Sequence, residues 1–423
     1  MNATGGRRGA ELLDRAARFE TAPGLLARIL APGFGKLLDQ IDRGLEQGSI
    51  LGHLPDGTTR LLGGRNPGFD AVIHLKSWMG LVRLATSGSI GWYQAWEAGE
   101  WESPDLVPVF AVFGQNALTL KSTGRAKSLW RRALRQAHLL NANTREGSER
   151  NIQAHYDLGN DFYAAWLGGT MTYSSALFDG GDTRDLDAGQ HHKIAAVLDR
   201  LDLNAGDRVL EIGCGWGTLA HAAAERGVSV DAISLSERQL EWARHHGEGY
   251  DGLRLLKQDY RDTGLDAPGR YDAIASVEMV EALGHEYWST YMDCIARNLK
   301  PGGRAALQYI SMRDELFEDY AASADFIQAY VFPGGLLIRT SEFRSLAEQR
   351  GLQWRDQHDF GVDYAETLKA WRENFELAAQ QGSLPDGFDD RFVQLWRFYL
   401  QYCEGGFRSG SIDVHQVTLV KED

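Results

Sequence analysis

The sequence predicts an α/β protein in which a doubly wound, mostly parallel sheet follows a smaller α+β domain. Two observations lead to this prediction. After about residue 152, apolar strand-like segments alternate with helical patterns, and this order generates a parallel sheet. Before about residue 140, helical stretches mix with alternating strand patterns and turn dipeptides, which indicates a separate α+β unit.

The elements of the larger domain follow in regular order along the chain. Strand patterns have a short apolar run, and helix patterns have apolar residues at three- and four-residue spacing. The strand segments are 207–213, 228–234, 253–258, 271–277 and 302–311, and the helical segments between them include 216–227, 236–247 and 286–299.

The domain boundary is marked by a change in composition. Periodic apolar patterning gives way to Asn, Gly, Ser and charged residues, so we assign a linker to 141–152. The predicted domains are 1–140 and 153–423, which suits a chain of 423 residues. Within the second domain, 312–345 is rich in Phe, Tyr, Leu and Ile and departs from sheet periodicity.

Composition excludes several classes of protein. The chain start has no apolar core, and no stretch approaches the length of a membrane span, so a cytoplasmic protein is expected. Cys214, Cys294 and Cys403 lie far apart without metal-ligand spacing, which predicts reduced thiols and no metal site. The formal net charge of −14 disfavours nucleic acid as a partner.

The segment from Lys121 to Arg135 is basic, in contrast to the net negative charge of the chain. Its basic residues have no acid between them and are interleaved with Leu129, Trp130 and Leu134. Such a helix suits anionic lipid headgroups, although a solvated face beside a linker would look the same. The basic residues are Lys121, Arg125, Lys127, Arg131, Arg132 and Arg135.

The strongest local signal is a strand that runs into alternating glycines. Gly213, Gly215 and Gly217 let the backbone turn sharply and approach a ligand. The acidic Glu211 precedes them on the strand, and the G-x-G-x-G spacing differs from the dinucleotide fingerprint. A nicotinamide or flavin site and a ligand-free turn are the alternatives.

Residues after the next two strands favour a different cofactor. The second strand ends in Ser234, Leu235 and Ser236, without the acid that holds ribose hydroxyls in a dinucleotide site. The third is followed by Asp259 and Tyr260, where a carboxylate and a ring could hold and stack on an adenine. The glycine turn in this setting resembles motif I of class I methyltransferases.

Motifs along the second domain resemble the cyclopropane fatty acid synthases and the related mycolic acid methyltransferases. The resemblance is strong from about residue 150 to the C-terminus and looser before it. It implies that the first domain serves in phospholipid docking and dimerisation. The matching segments, besides the glycine turn, are 155–163, 171–174, 260–262, 332–335, 360–364 and 403–408.

The resemblance implies S-adenosylmethionine as the cofactor and the double bond of a phospholipid acyl chain as the methyl acceptor. It assigns the segment 312–345 to the wall of an acyl tunnel, against the alternative of ordinary packing helices. The implied cofactor-binding residues are Tyr173, Ser174, Glu211, Gly213, Gly215, Gly217, Ser234, Leu235, Gln239, Asp259 and Tyr260.

In this family the base is a bicarbonate ion held by a cysteine, a glutamate, a histidine, a tyrosine and a backbone amide. Carried over by motif, the glutamate is Glu281, the tyrosine is Tyr364 and the amide belongs to Ile310. Ser175 stands at the cysteine position and Gln308 at the histidine position, which weakens the case for bicarbonate.

Glu278 is an additional acid three residues before Glu281, where many relatives have glycine. Two acids where a parallel strand feeds a ligand crevice favour chemistry. A Glu278 carboxylate could therefore replace the bicarbonate, with hydrogen bonds from Tyr364, Ser175 or Gln308 favouring its ionised form. The alternative is a strand-end acid near solvent or a cationic neighbour.

The product and the partners follow from the same resemblance. A cyclopropane is expected, and the alternatives are a methyl or methylene branch, a small-molecule N- or O-methyltransferase, and a lipid-binding scaffold without catalysis. The expected partners are the inner face of the membrane, as a peripheral contact, and a second copy of the chain. A methyl branch would add a reductase partner.

Overall fold

A computed structural model describes residues 8–16, 34–120, 158–247 and 249–422. The strands are β1 (Gln47–His53), β2 (Thr59–Gly63), β3 (Asn66–Leu75), β4 (Trp101–Glu102), β5 (Arg208–Ile212), β6 (Ser229–Ser234), β7 (Leu253–Lys257), β8 (Tyr271–Val277), β9 (Leu299–Met312), β10 (Leu352–Asp359) and β11 (Ile412–Lys421). The helices are α1 (Ala10–Ala16), α2 (Phe34–Gly44), α3 (Met79–Glu97), α4 (Leu106–Gln115), α5 (Asn160–Ala164), α6 (Leu186–Arg200), α7 (Thr218–Glu225), α8 (Glu237–His246), α9 (Trp288–Asn298), α10 (Asp314–Ala321), α11 (Phe326–Tyr330), α12 (Thr340–Glu348), α13 (Gly361–Gln381) and α14 (Asp390–Arg408).

The described chain divides into two compact units. The first contains 8–16, 34–120, 315–333 and 386–412, and the second contains the remaining described residues from 158 onward. This differs from the prediction of one uninterrupted domain over 153–423. The predicted linker, 141–152, and the basic segment between Lys121 and Arg135 lie outside the described residues.

Aromatic packing explains why two late segments belong to the first unit. The ring of Tyr93 on α3 contacts Phe326 and Tyr330 of α11, with centroids 5.0 and 4.6 Å apart, and Phe398 of α14, at 5.0 Å. Burying such rings contributes strongly to stability, and edge-to-face pairs add to it. The aromatic residues of 312–345 that were assigned to a tunnel wall therefore include core residues of the first unit.

The first unit contains a four-stranded sheet in the order β2-β1-β3-β4. Strands β1 and β3 are parallel, whereas the β1–β2 and β3–β4 pairs are antiparallel. The unit combines this mixed sheet with helices, as the α+β prediction stated.

The second unit contains a seven-stranded sheet in the order β10-β11-β9-β8-β5-β6-β7. The pairs from β9 to β7 are parallel, and β10 and β11 pair antiparallel at one edge. The predicted doubly wound, mostly parallel sheet is confirmed. The chain moves outward from β5 through β6 to β7 and then resumes at β8, so the switch point of the sheet lies between β5 and β8.

The core of the seven-stranded sheet agrees with the sequence pattern. Apolar strand residues such as Val209, Val230 and Ala273 are 1% exposed or less and pack with Ala220 and Ala223 of α7. In the part of the chain that the structure describes, no helix has the length and apolar character of a membrane span. The cysteines are free thiols, as predicted.

Candidate active site

A cavity lies at the carboxyl ends of β5 and β8, where ligands bind in sheets of this topology. All of its described lining residues belong to the second unit. The lining includes ten of the predicted cofactor residues, namely Tyr173, Ser174, Glu211, Gly213, Gly215, Ser234, Leu235, Gln239, Asp259 and Tyr260.

The three positions after β5 require glycine for different structural reasons. Each has a positive φ, of 83° at Gly213, 52° at Gly215 and 90° at Gly217. A Cβ on Gly213 would lie 2.6 Å from Cγ of Met279, and a Cβ on Gly217 would lie 2.7 Å from Cβ of Ala243. Among described atoms, nothing lies within 4 Å of a Cβ on Gly215, so its backbone borders open cavity space.

Gly217 is the one predicted cofactor residue that does not line the cavity in the described structure. It caps the start of α7 and allows that helix to approach Ala243 of α8. The G-x-G-x-G pattern does not distinguish this packing role from ligand contact, because both require the absence of a side chain.

Glu211 and Lys193 are two charged residues in the cavity wall. They are 4% and 1% exposed, respectively. Burial raises the pKa of Glu211 to about 8 and lowers the pKa of Lys193 to about 8, and attraction between the two charges opposes both shifts. Among the described residues, Oε2 of Glu211 has no hydrogen-bond partner, which leaves a buried acceptor for a ligand.

Polar residues at and after the ends of β6 and β7 in the cavity wall form hydrogen bonds with their neighbours. Ser234 Oγ donates to Gln239 Oε1 at 3.1 Å, and both lie beside Leu235. The Asp259 carboxylate accepts hydrogen bonds from Nε of Arg261, at 2.9 and 3.1 Å, and from its Nη2, at 2.6 Å. Arg261, to which no role was assigned from the sequence, thus orients the acid that was assigned to the adenine.

Glu278 comes directly after β8 and reaches the same cavity. Its Oε1 accepts from the Ser175 amide at 2.9 Å and from Gln308 Nε2 at 2.8 Å, and its Oε2 accepts from the Tyr364 hydroxyl at 2.7 Å. Desolvation raises the pKa of Glu278, whereas the Lys193 charge and these three donors lower it. The carboxylate is fixed in one orientation.

The backbone of Glu278 shows why this orientation persists. Its φ is 48°, which is unusual for a residue with a side chain, and its amide donates to the Gln308 carbonyl at 2.8 Å. Val277 and Gln308 are paired in the β8–β9 register. The Gln308 side-chain oxygen accepts from Gln416 Nε2 at 3.0 Å, so its amide nitrogen faces the carboxylate.

Helix α13 holds the loop that supplies the Ser175 amide. Tyr364 binds Glu278, while Thr367 Oγ1 accepts from the Ala176 amide at 3.1 Å. The Ser175 hydroxyl donates to the Ala176 carbonyl at 2.8 Å. Ser175 therefore binds Glu278 through its backbone and not through the side chain that stands at the cysteine position.

Glu281 binds the remaining donor that was predicted to hold the anion, the Ile310 amide. Its Oε1 accepts from the Ile310 amide. Desolvation and the nearby Glu278 charge raise the pKa of Glu281 to about 8. Because Glu278 and Glu281 already bind the Ser175, Gln308, Tyr364 and Ile310 donors, the residues present do not fit a bound bicarbonate.

The fold and the cavity together define a class I methyltransferase that uses S-adenosylmethionine. The glycine turn, the open backbone at Gly215 and the unpartnered Glu211 oxygen fit the cofactor. Residues 143–417 match the family described as mycolic acid cyclopropane synthetase, and the chain belongs to that family.

Known relatives agree with this assignment. The chain is 37% identical to the tuberculostearic acid methyltransferase UfaA1 of Mycobacterium tuberculosis, over 80% of this chain and 81% of that protein. It is 34% identical to the cyclopropane-fatty-acyl-phospholipid synthase of Escherichia coli strain K12, over 80% and 84%. The solved structure of the mycolic acid cyclopropane synthase CmaA1 complexed with SAH and CTAB superposes with a TM-score of 0.59 at 29% identity, covering 64% of this chain and 98% of that chain.

Lys193 is a residue of the site that was not predicted from the sequence. A signal was present, because Lys193 lies on the helix face that carries Ile194 and Val197 and therefore occupies a buried position. A lysine in such a position requires a partner in the interior. The pattern alone did not show which acids would face it.

Proposed function

We propose that the protein is a C-methyltransferase that acts on the double bond of an unsaturated acyl chain in a membrane phospholipid. The observation that carries the proposal is the Glu278 carboxylate, which three donors hold at the wall of the cofactor cavity. An alkene acceptor requires a base after methylation. The Escherichia coli relative, by its name, acts on fatty acyl phospholipids.

The cofactor, when bound, supplies an electrophilic methyl group on a sulfonium. The alkene π electrons form the new carbon–carbon bond to this methyl group while the sulfur–methyl bond breaks and its electron pair stays on sulfur, and the other alkene carbon becomes cationic. Glu278 then accepts a proton, and the C–H electron pair quenches the cation. Proton loss from the added methyl closes a cyclopropane ring, whereas loss from a neighbouring chain carbon leaves a methylated alkene.

The cyclopropane is the product that we propose first. A methyl or methylene branch is the second candidate, because the relative from Mycobacterium tuberculosis is named for tuberculostearic acid methylation. A saturated branch requires hydride from a reductase, since deprotonation by Glu278 alone leaves an alkene. The base geometry relative to the acyl chain decides between the two products.

Lipid analysis tests this function and separates the products. We expect phospholipids from a host that expresses the protein to gain acyl chains heavier by one CH2. A cyclopropane resists ozonolysis, whereas a methylated alkene is cleaved at the new branch, and a reduced branch carries two further hydrogens. Unchanged lipids, together with methyl transfer to small amines, would instead identify an N-methyltransferase.

Peripheral binding to an anionic membrane surface belongs to the same proposal. We expect reversal of Arg131, Arg132 and Arg135 to Glu to weaken binding to anionic vesicles by at least about 100-fold. Each basic residue near such a surface contributes about 1 kcal/mol, and salt screens the attraction. Vesicle co-sedimentation at low and physiological salt measures the effect.

The control for this experiment reverses exposed charges elsewhere. Arg184, Arg244 and Arg344 are exposed residues of the second unit that form local ion pairs, and their reversal to Glu should matter much less. Equal losses in the two triple variants would show a general charge effect, and the segment between Lys121 and Arg135 would then be a solvated face. A homodimer remains a prediction, to be measured by ultracentrifugation.

A further inference from the structure

Lys193 is a buried cation that the proposed reaction does not yet use. It lies on α6, is 1% exposed and lines the cofactor cavity together with Glu211 and Glu278. Burying an ammonium group costs several kcal/mol unless charge and hydrogen bonds compensate. Its burial therefore depends on compensating charges and hydrogen bonds from its neighbours.

The contacts of α6 connect Lys193 to the base. Lys193 Nζ donates to Ser174 Oγ at 2.6 Å, and Gln190, one turn earlier, donates from Nε2 to the Ser174 carbonyl at 2.8 Å. The next residue, Ser175, supplies the amide that binds Glu278 Oε1. Helix α6 thus fixes both the side chain and the backbone of the residue preceding that amide.

Electrostatics add a second connection. The Lys193 charge is the largest influence that lowers the pKa of Glu278 against desolvation. Burial lowers the pKa of Lys193 to about 8, while Glu278 and Glu211 raise it, so Lys193 carries its charge at neutral pH. Among the residues that the structure describes, the other ionisable groups that face Glu278 are Glu281 and Tyr364.

We propose that Lys193 is a positioning residue that keeps Glu278 ionised at neutral pH and holds the Ser175 amide against its carboxylate. This inference rests on the proposed role of Glu278 as the base. Lys193 acts through Ser174 and through its charge, without contact to the reacting carbon atoms. Glu211 shares the same cation, so the cofactor pocket and the base depend on one buried charge.

Three substitutions separate charge from tethering. Lys193→Met removes both, Lys193→Gln retains a donor without charge, and Lys193→Arg retains both. We expect kcat at saturating S-adenosylmethionine and anionic vesicle substrate to fall at least about tenfold at pH 7 in the two neutral variants. The acid limb of their kcat–pH profile, where activity is lost as the pH falls, should move to higher pH by at least about one unit. The reason is that loss of the cation favours protonated Glu278.

Lys193→Arg should keep the acid limb near its original position. The matched control is Lys300→Met, since Lys300 is a partly exposed partner of Asp272 and does not line the cavity. Its profile should be unchanged. Should Lys193→Met fail to fold, Lys193→Gln and Lys193→Arg still compare a neutral with a charged side chain.

The two proposals fail in different ways. An unmoved pH profile in folded Lys193→Met and Lys193→Gln, with Glu278→Gln inactive, would overturn the role of Lys193 and leave Glu278 as the base. A shifted profile in Lys193→Arg equal to that of the neutral variants would overturn it too. Near-normal activity of Glu278→Gln would instead remove the proposed base, whatever Lys193 does.

Discussion

Replacement of Glu278 by glutamine is expected to lower the chemical step by about 10²- to 10⁴-fold, the range for removal of a general base. The amide retains the size of the side chain but cannot accept the proton. Binding of cofactor and lipid should change little, so kcat falls while KM stays near its original value. Single-turnover methyl transfer to phospholipid vesicles measures this step directly.

The pH dependence has a definite direction. Activity requires the ionised carboxylate, so kcat is lost as pH falls through the pKa of Glu278. Because desolvation raises that pKa above the ordinary glutamate value, the acid limb should lie above the usual glutamate range. The control is Glu286→Gln, the same chemical change at an exposed position eight residues later in the chain.

Bicarbonate provides a further test of Glu278. The natural protein should be equally active in carbonate-depleted buffer, since its own carboxylate occupies the available donors. Glu278→Gly should fold readily, because the position has a φ of 48°, and added bicarbonate should restore part of its activity. Strong bicarbonate dependence of the natural protein, with a nearly normal Glu278→Gln variant, would return the base role to a bound anion.

Replacement of Gly215 by leucine is expected to abolish detectable binding of S-adenosylmethionine. In the described structure, a side chain at this position would enter the open cavity that the backbone borders. The φ of 52° adds a backbone cost of about 1–2 kcal/mol. Isothermal titration calorimetry on the folded variant measures the loss. Gly213→Leu is a less specific test, because its side chain would also displace Met279.

Gly206→Leu is the matched control. Gly206 also has a positive φ, of 89°, and no described atom lies within 4 Å of a Cβ there, but the residue does not line the cavity. Its substitution carries a similar backbone strain without filling the cofactor site. Unchanged affinity in a folded Gly215→Leu variant would contradict the assignment of the glycine turn to the cofactor.

The sequence alone was sufficient for the fold class and for the location of the cofactor site. Strand and helix periodicity, the glycine turn after Glu211 and the missing acid after Ser234 are local patterns, and local sterics determine how they fold. The same reasoning could not separate Gly217 from its neighbours, because packing against Ala243 and contact with a ligand impose the same requirement. It also suggested Glu278 as a base with Tyr364, Ser175 or Gln308 as its donors, without showing which atoms make the contacts.

Only the tertiary structure decided how Glu278 is held and which segments complete the first unit. Its donors come from positions 103, 30 and 86 residues away, at Ser175, Gln308 and Tyr364. Likewise, 315–333 and 386–412 join the first unit because their aromatic faces pack around Tyr93. The type of a side chain shows that it must be buried or paired. Which distant residue becomes its partner is decided by the tertiary structure, because these interactions depend on proximity in space.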